Sequence, residues 1–152
     1  MIQVLLLVNR QGKTRLAKYF TPRNQKERTR IIKDLTQIVL NRTQKLCNFI
    51  EWQDYKIVYK RYASLYFITV VDKEDNELIV LDIIHHFVEI LDKYFGNVCE
   101  LDLIFNFHKA YYLLDEYVIA GELQESSKKQ ILKAVINQDN LMEENKDADK
   151  KQ

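Results

Sequence analysis

Apolar residues fall in short runs of strand length through the first half of the chain. These runs are rich in β-branched and aromatic residues, which favour strands. Gly12 lies in the first turn, where its freedom to adopt positive φ is useful. Lys60 and Arg61 interrupt the apolar pattern and predict a basic reversal between two adjacent strands in the middle of a sheet. The five predicted strands are 2–9, 14–20, 47–52, 55–59 and 64–71.

Longer stretches carry apolar residues at helical spacing. A helix is predicted over 25–42, with its apolar positions on one face. A second helix over 77–95 is apolar over a wider surface, begins after Asp75 or Asn76, and ends at Gly96. After a short segment at 100–105, the pattern predicts helices over 107–120 and 127–140. Strand pairs followed by helices indicate an α+β domain.

Composition indicates one domain with a substantial core. The chain has 152 residues, 47% of them hydrophobic, and only three glycines and one proline. No apolar run approaches the length that spans a bilayer, and the apolar residues 1–8 predict a strand rather than a signal peptide. The tail 143–152 is almost wholly polar and is expected to be mobile, which leaves residues 1–142 as the folded domain.

Charge is distributed unevenly along the chain. Residues 1–61 hold 14 Lys and Arg against 4 Asp and Glu, whereas residues 62–152 hold 9 against 18. Such a division allows the two parts to pair internally or to present a basic face. General nucleic-acid binding is not expected, because half of the chain would repel phosphate.

No catalytic constellation is apparent, and we expect neither an enzyme nor a cofactor. His85 and Glu89 share a helix face, but a structural histidine is favoured over a metal ligand because no third ligand lies nearby in sequence. Cys47 and Cys99 are too few for a disulfide framework and are expected to be buried free thiols. The interpretation as core residues is favoured for four aromatic residues, Tyr59, Phe67, Phe87 and Phe105.

Several segments together resemble a known family. Ile57, Val58, Tyr59 and Lys60, followed after four residues by Leu-Tyr-Phe at 65–67, resemble the signature of the small (sigma) chains of clathrin adaptor protein complexes. Segments 9–16, 97–102 and 105–107 are similar to family segments at the same places. The resemblance covers about residues 1–142 and implies a longin-like fold, in which a five-stranded antiparallel sheet carries helices on both faces, with extra C-terminal helices.

The resemblance also implies a binding function. Sigma chains bind acidic dileucine sorting signals, in which an acidic residue precedes three variable residues and Leu-Leu or Leu-Ile. In this chain Arg15 would reach the acidic residue, and two shallow apolar holes would take the leucines. Without the resemblance, Val88, Leu101 and Leu103 would simply be core residues. The family positions that form the leucine site are Tyr62, Ala63, Leu65, Val88, Asn97, Val98, Leu101 and Leu103.

The partners implied by the resemblance are a gamma-type large subunit, a beta-type large subunit and a medium (mu) subunit, with clathrin and the membrane contacted through other subunits. Segments 56–67, 76–78 and 122–129 are most similar to the type found at the trans-Golgi network, endosomes and clathrin-coated vesicles, on their cytoplasmic side. The plasma-membrane type, which acts in endocytosis, is the closest alternative. A free-standing longin-like trafficking regulator is a third possibility, although the charged tail provides neither a coiled coil nor an anchor.

Overall fold

A computed structural model describes residues 1–42, 48–119 and 122–123. Five strands, β1 (Ile2–Asn9), β2 (Thr14–Tyr19), β3 (Phe49–Trp52), β4 (Tyr55–Tyr62) and β5 (Leu65–Asp72), form one antiparallel sheet in the order β2-β1-β5-β4-β3. Helices are α1 (Gln25–Leu40), α2 (Glu77–Phe95), α3 (Glu100–Phe105) and α4 (Phe107–Tyr117). The predicted α+β fold with a five-stranded antiparallel sheet is confirmed.

The sheet is covered on both faces because its strands alternate between two cores. Along β1, Val4 and Leu6 face α1, whereas Leu5 and Leu7 face α2 and α4. On the second face, the ring of Phe67 meets that of Phe87 edge to face at 6.3 Å between centroids. This sandwich explains why the central strands have no exposed face and why their sequences are almost continuously apolar.

The ends of the helices follow ordinary capping rules. The Asn24 side chain accepts a hydrogen bond from the backbone N–H of Glu27, and the Glu27 carboxylate accepts one from the backbone N–H of Asn24. Asn76 caps α2, as one of the two predicted choices, and Gly96 ends that helix with φ 66°. The predicted bounds of α2 are therefore confirmed at both ends.

Two features of the predicted elements were wrong. The basic residues Lys60 and Arg61 lie within β4, opposite Phe67 and Tyr66, and the reversal follows at positions 63 and 64. The strand β4 extends through Lys60 and Arg61 because both residues pair with β5. The helix predicted to reach residue 120 ends at Tyr117, where a two-stranded ribbon of Val118–Ile119 and Glu122–Leu123 begins. The predicted helix 127–140 and the tail 143–152 lie outside the described residues, as does Cys47.

Two residues were assigned to the core incorrectly. Phe105 is 74% exposed because it ends the short helix α3 on the outer surface. Cys99 is exposed because it occupies the position that precedes that helix. Tyr59, Phe67 and Phe87 are buried, as predicted. In the part of the chain that the structure describes, no helix is both long and apolar enough to cross a membrane.

One contact joins α4 to the edge of the sheet. The hydroxyl group of Tyr111 donates to the carbonyl oxygen of Ala17 at 3.0 Å and accepts from the N–H of the same residue at 2.9 Å. Ala17 lies in β2, the outer strand beside β1. The hydroxyl therefore satisfies both backbone groups of one residue on an edge strand.

Candidate functional site

Several of the residues predicted to bind a peptide come from distant parts of the chain and pack together beside α2. Arg15 lies on β2, Tyr62 ends β4, and Leu65 begins β5. The rest lie on α2, on α3 or in the loop between these helices. Four of the predicted residues belong to one buried cluster, in which Tyr62 also packs: Leu65, Val88, Val98 and Leu103.

A carboxylate that the sequence did not single out joins two of these segments. Asp92, on α2, accepts a hydrogen bond from the Tyr62 hydroxyl at 2.6 Å and another from the Val98 N–H at 2.9 Å. The hydrogen bond from the Tyr62 hydroxyl to Asp92 is the main reason that the pKa of Tyr62 is raised. Asp92 thus holds the end of β4 and the α2–α3 loop against the same turn of helix.

A second carboxylate binds the predicted cationic residue. One oxygen of Glu100, at the start of α3, accepts from Arg15 Nε at 2.7 Å and from Asn9 Nδ2 at 2.8 Å. The hydrogen bonds from Asn9 and then Arg15 lower the pKa of the Glu100 carboxyl group. Glu100 is two residues from Val98 in the chain, so its contact with Arg15 joins β2 to the segment that carries Val98.

Two of the predicted residues lie in turns with left-handed backbone conformations. Ala63 has φ 53° in the turn between β4 and β5, and its side chain is exposed. Asn97 has φ 66° directly after Gly96 and is also exposed. Asparagine adopts this conformation more readily than most other residues, whereas the Cβ of an alanine makes it costly at position 63.

The apolar residues of the site are packed together in this structure. Leu65, Val98 and Leu103 are at most 3% exposed, and Val88 is 5% exposed. Leu101 differs, because it is 59% exposed on the outer side of α3. The four buried side chains therefore offer little surface to a ligand in this structure.

Two cavities lie on the surface of the described part of the chain. A cavity of about 180 Å³ lies between the start of α1 and the β3–β4 turn, against Arg23, Ile31 and Trp52. A second of about 450 Å³ lies at the end of α1, against Arg42, Tyr59 and Arg61. Of the predicted site residues, only Ala63 lines either of these two cavities.

Possible metal ligands do not cluster in the described residues. His85 Nε2 lies 2.6 Å from Glu89 Oε1 on the same face of α2, so this pair forms an internal contact. No group of three His, Cys, Asp or Glu side chains within residues 1–42, 48–119 and 122–123 is arranged to hold a metal ion.

The fold and the match to a family model define the class of the protein. The chain superposes with a TM-score of 0.74 and 30% identity on a chain of a structure described as a homology model of the full-length AP-3 complex in a stretched open conformation, covering 97% of this chain and 99% of that one. The architecture is thus the longin-like fold of adaptor small chains. The model of the clathrin adaptor complex small chain matches residues 1–142, and the chain belongs to that family.

Three curated relatives are AP-1 sigma subunits. The chain is 66% identical to AP-1 complex subunit sigma-2 of Dictyostelium discoideum, over 91% of this chain and 90% of that one. It is 66% identical to AP-1 complex subunit sigma-2 of Arabidopsis thaliana, over 94% and 88%, and 54% identical to AP-1 complex subunit sigma-1A of Homo sapiens, over 95% and 91%. The protein is therefore a small adaptor chain similar to AP-1 sigma subunits and not an enzyme.

Proposed function

We propose that this chain recognises acidic dileucine sorting signals of membrane cargo as the small subunit of an adaptor complex. The observation that carries the proposal is the convergence of the predicted residues. Segments separated by up to 85 positions, as Arg15 and Glu100 are, meet beside one apolar cluster. An adaptor small chain with adjacent cationic and apolar groups has the chemistry that such a signal requires.

The apolar part of the site supplies the larger share of the binding free energy. Burying each leucine of the signal is worth roughly 1.5–3 kcal/mol before ordering costs. Val88, Val98 and Leu103 would form the walls, and the exposed Leu101 would extend them outward. Opening the packed cluster consumes part of this gain, so binding is expected to be weak, roughly micromolar.

The polar part of the site orients the peptide. The exposed Asn97 side chain can pair with the backbone of an extended segment. Arg15 attracts the acidic residue, although an exposed ion pair contributes only about 0–1 kcal/mol. Tyr62 and Ala63 form the rim at the β4–β5 turn.

The partners and location follow the family and the relatives. The proposed partners are a gamma-type large subunit, a beta-type large subunit and a mu subunit, on the cytoplasmic side of trans-Golgi, endosomal and coated-vesicle membranes. Clathrin and the membrane would be contacted through the other subunits. An apolar surface on α3 and the start of α4 supports docking to a large chain, and it comprises Ile104 (38% exposed), Phe105 (74%) and Phe107 (57%). This surface is called the α3–α4 patch below.

The test uses this chain co-expressed with the trunk of a large adaptor chain. A labelled peptide with an acidic residue, three variable residues and Leu-Leu is titrated, and its fluorescence polarisation is followed. We expect saturable binding that is lost in Val98→Ser and weakened in Arg15→Ser. Leu78→Ser is a matched control, because this leucine is 71% exposed at the other end of α2. Binding that survives both site variants would refute the assignment.

A further inference from the structure

Arg15 already forms an ion pair with Glu100 of its own chain. Its Nε donates to Glu100 Oε1 at 2.7 Å, and the side chains of Arg15 and Glu100 are 24% and 25% exposed, respectively. This is the only hydrogen bond of the Arg15 guanidinium group within the described residues. Its terminal nitrogens are therefore available to a second acceptor. That acceptor and Glu100 would then bind the same guanidinium group.

Glu100 is held where it is by a buried side chain. Asn9 is 4% exposed and donates from Nδ2 to Glu100 at 2.8 Å. The Oδ1 atom of Asn9 accepts from the N–H groups of Gln11 and Lys13 at 2.9 and 2.8 Å, which fixes the amide orientation. Because the first turn of the chain anchors Asn9 in this way, an arriving anion shares Arg15 with Glu100 rather than displacing it.

We propose that Glu100 is an internal competitor that lowers the affinity of Arg15 for the acidic residue of the bound signal. The inference rests on the proposed function, because it concerns the same site. A carboxylate placed on the free side of the guanidinium group is attracted by Arg15 and repelled by Glu100 at short range. Selectivity for an acidic residue is then smaller than an isolated arginine would provide, and cargo is more easily released.

A different role for the same residue makes the opposite prediction. If Glu100 served only to orient Arg15, its charge would help by strengthening the hydrogen bond that holds the guanidinium group. Replacement by Gln keeps an oxygen that can accept from Arg15 and Asn9 but removes the charge. The Glu100→Gln variant would then bind an acidic peptide equally well or less well, whereas competition predicts tighter binding.

The experiment compares two peptides on the complex of this chain with a large-chain trunk. The peptides differ only at the acidic position, which is Glu in one and Gln in the other. For Glu100→Gln we expect the Glu peptide to bind about two- to fivefold tighter, the range allowed for a surface charge pair, and the Gln peptide to bind as to the wild type. Raising the salt concentration is expected to reduce this gain.

Glu74→Gln is the matched control, because it makes the same chemical change at an exposed turn far from Arg15 in sequence. It is expected to change neither affinity. The decisive quantity is the affinity for the Glu peptide divided by the affinity for the Gln peptide. If Glu100→Gln leaves this ratio unchanged or lowers it, the competitor role is wrong. The proposed function still stands in that case if Val98→Ser abolishes binding. If the wild-type complex binds neither peptide, both proposals fail.

Discussion

At the scale of single residues, the site is organised by two carboxylates that were not among the predicted site residues. Asp92 joins the Tyr62 hydroxyl to the Val98 N–H, and Glu100 joins Arg15 to Asn9. The sequence pattern could not identify them, because acidic residues on helices are usually solvated surface residues. Their roles depend on contacts between segments, which a linear pattern does not contain.

Removing the Asp92 carboxylate is expected to loosen the site. Asp92→Ala leaves the Val98 N–H and the Tyr62 hydroxyl without their acceptor, and we expect it to destabilise the chain by about 1–3 kcal/mol. Urea unfolding of the wild type and variant measures this change. Tyr62→Phe is the control, because it removes only one of the two hydrogen bonds and is expected to cost less. Equal stability of Asp92→Ala and the wild type would contradict the role given to Asp92.

The turn at Ala63 makes a prediction about backbone strain. With φ 53°, an alanine pays a penalty that glycine does not pay. We expect Ala63→Gly to stabilise the chain by about 0.5–1 kcal/mol and Ala63→Val to destabilise it. Thermal unfolding of both variants distinguishes this explanation from a simple loss of side-chain contacts, under which glycine would also be destabilising.

The lowered pKa of Glu100 makes stability depend on pH. A carboxyl group whose pKa is lowered by folding contributes stability above its unfolded pKa, about 4.3, and loses it as the pH falls through the lower folded pKa. We therefore expect the stability difference between wild type and Glu100→Gln to be constant near neutral pH and to shrink in acid. Urea unfolding over a pH series checks this, with Glu74→Gln as the control that shows no such change.

At the scale of elements, the spacing of apolar residues and the capping residues were sufficient to predict most of the fold. The strands β1, β4 and β5 are apolar runs, and α2 was located by its period, by Asn76 and by Gly96. The end of β4 was missed because the ladder to β5 overrides the charges at Lys60 and Arg61. Local chemistry does not reveal a pairing partner, so element ends that tertiary contacts decide could not be predicted.

The contact between α2 and the sheet is expected to dominate stability. Phe87 is 1% exposed and meets the ring of Phe67 across the second core. Phe87→Ala should destabilise the chain by about 3–5 kcal/mol, since it removes a large buried ring and leaves a cavity. Urea unfolding measures the loss. The exposed Ile79 on the same helix is the control position, where Ile79→Ala is expected to change stability by less than about 0.5 kcal/mol.

At the scale of the whole molecule, the division of charge along the sequence becomes a set of contacts between its two parts. Lys18 lies 2.9 Å from Asp115, Arg15 contacts Glu100, and Lys56 Nζ lies 2.8 Å from Glu77. Each pair joins a basic residue before position 62 to an acidic residue after it. Much of α1 remains exposed, including Lys26, so the basic part also presents a surface of its own.

The site depended on family resemblance more than the fold did. The composition and the spacing of apolar residues predict that Val88 and Leu103 are buried, and both are buried. Neither feature predicts that these residues line a binding site. Leu101, which the pattern alone would assign to the core, is exposed. Function could not be read from these residues because core and binding-site leucines have the same chemistry.

The α3–α4 patch gives a prediction for assembly. Phe105→Ser and Phe107→Ser together are expected to reduce co-purification with a large-chain trunk several-fold, because the patch loses much of its apolar area. The melting temperature of the chain is expected to change little, since both rings are mostly exposed. Retention of full assembly by the double variant would place the large-chain contact elsewhere, and Leu78→Ser is the matched control.

The hydroxyl group of Tyr111 has a consequence for colloidal behaviour. An edge strand with unpaired backbone groups is a template on which a strand of another molecule can add, and this is a common route to fibrils. Tyr111 occupies both backbone groups of Ala17, so an incoming strand could not form hydrogen bonds with β2 at this residue. A single oxygen atom on α4 thus makes this edge of the sheet a poorer template for strand addition at Ala17.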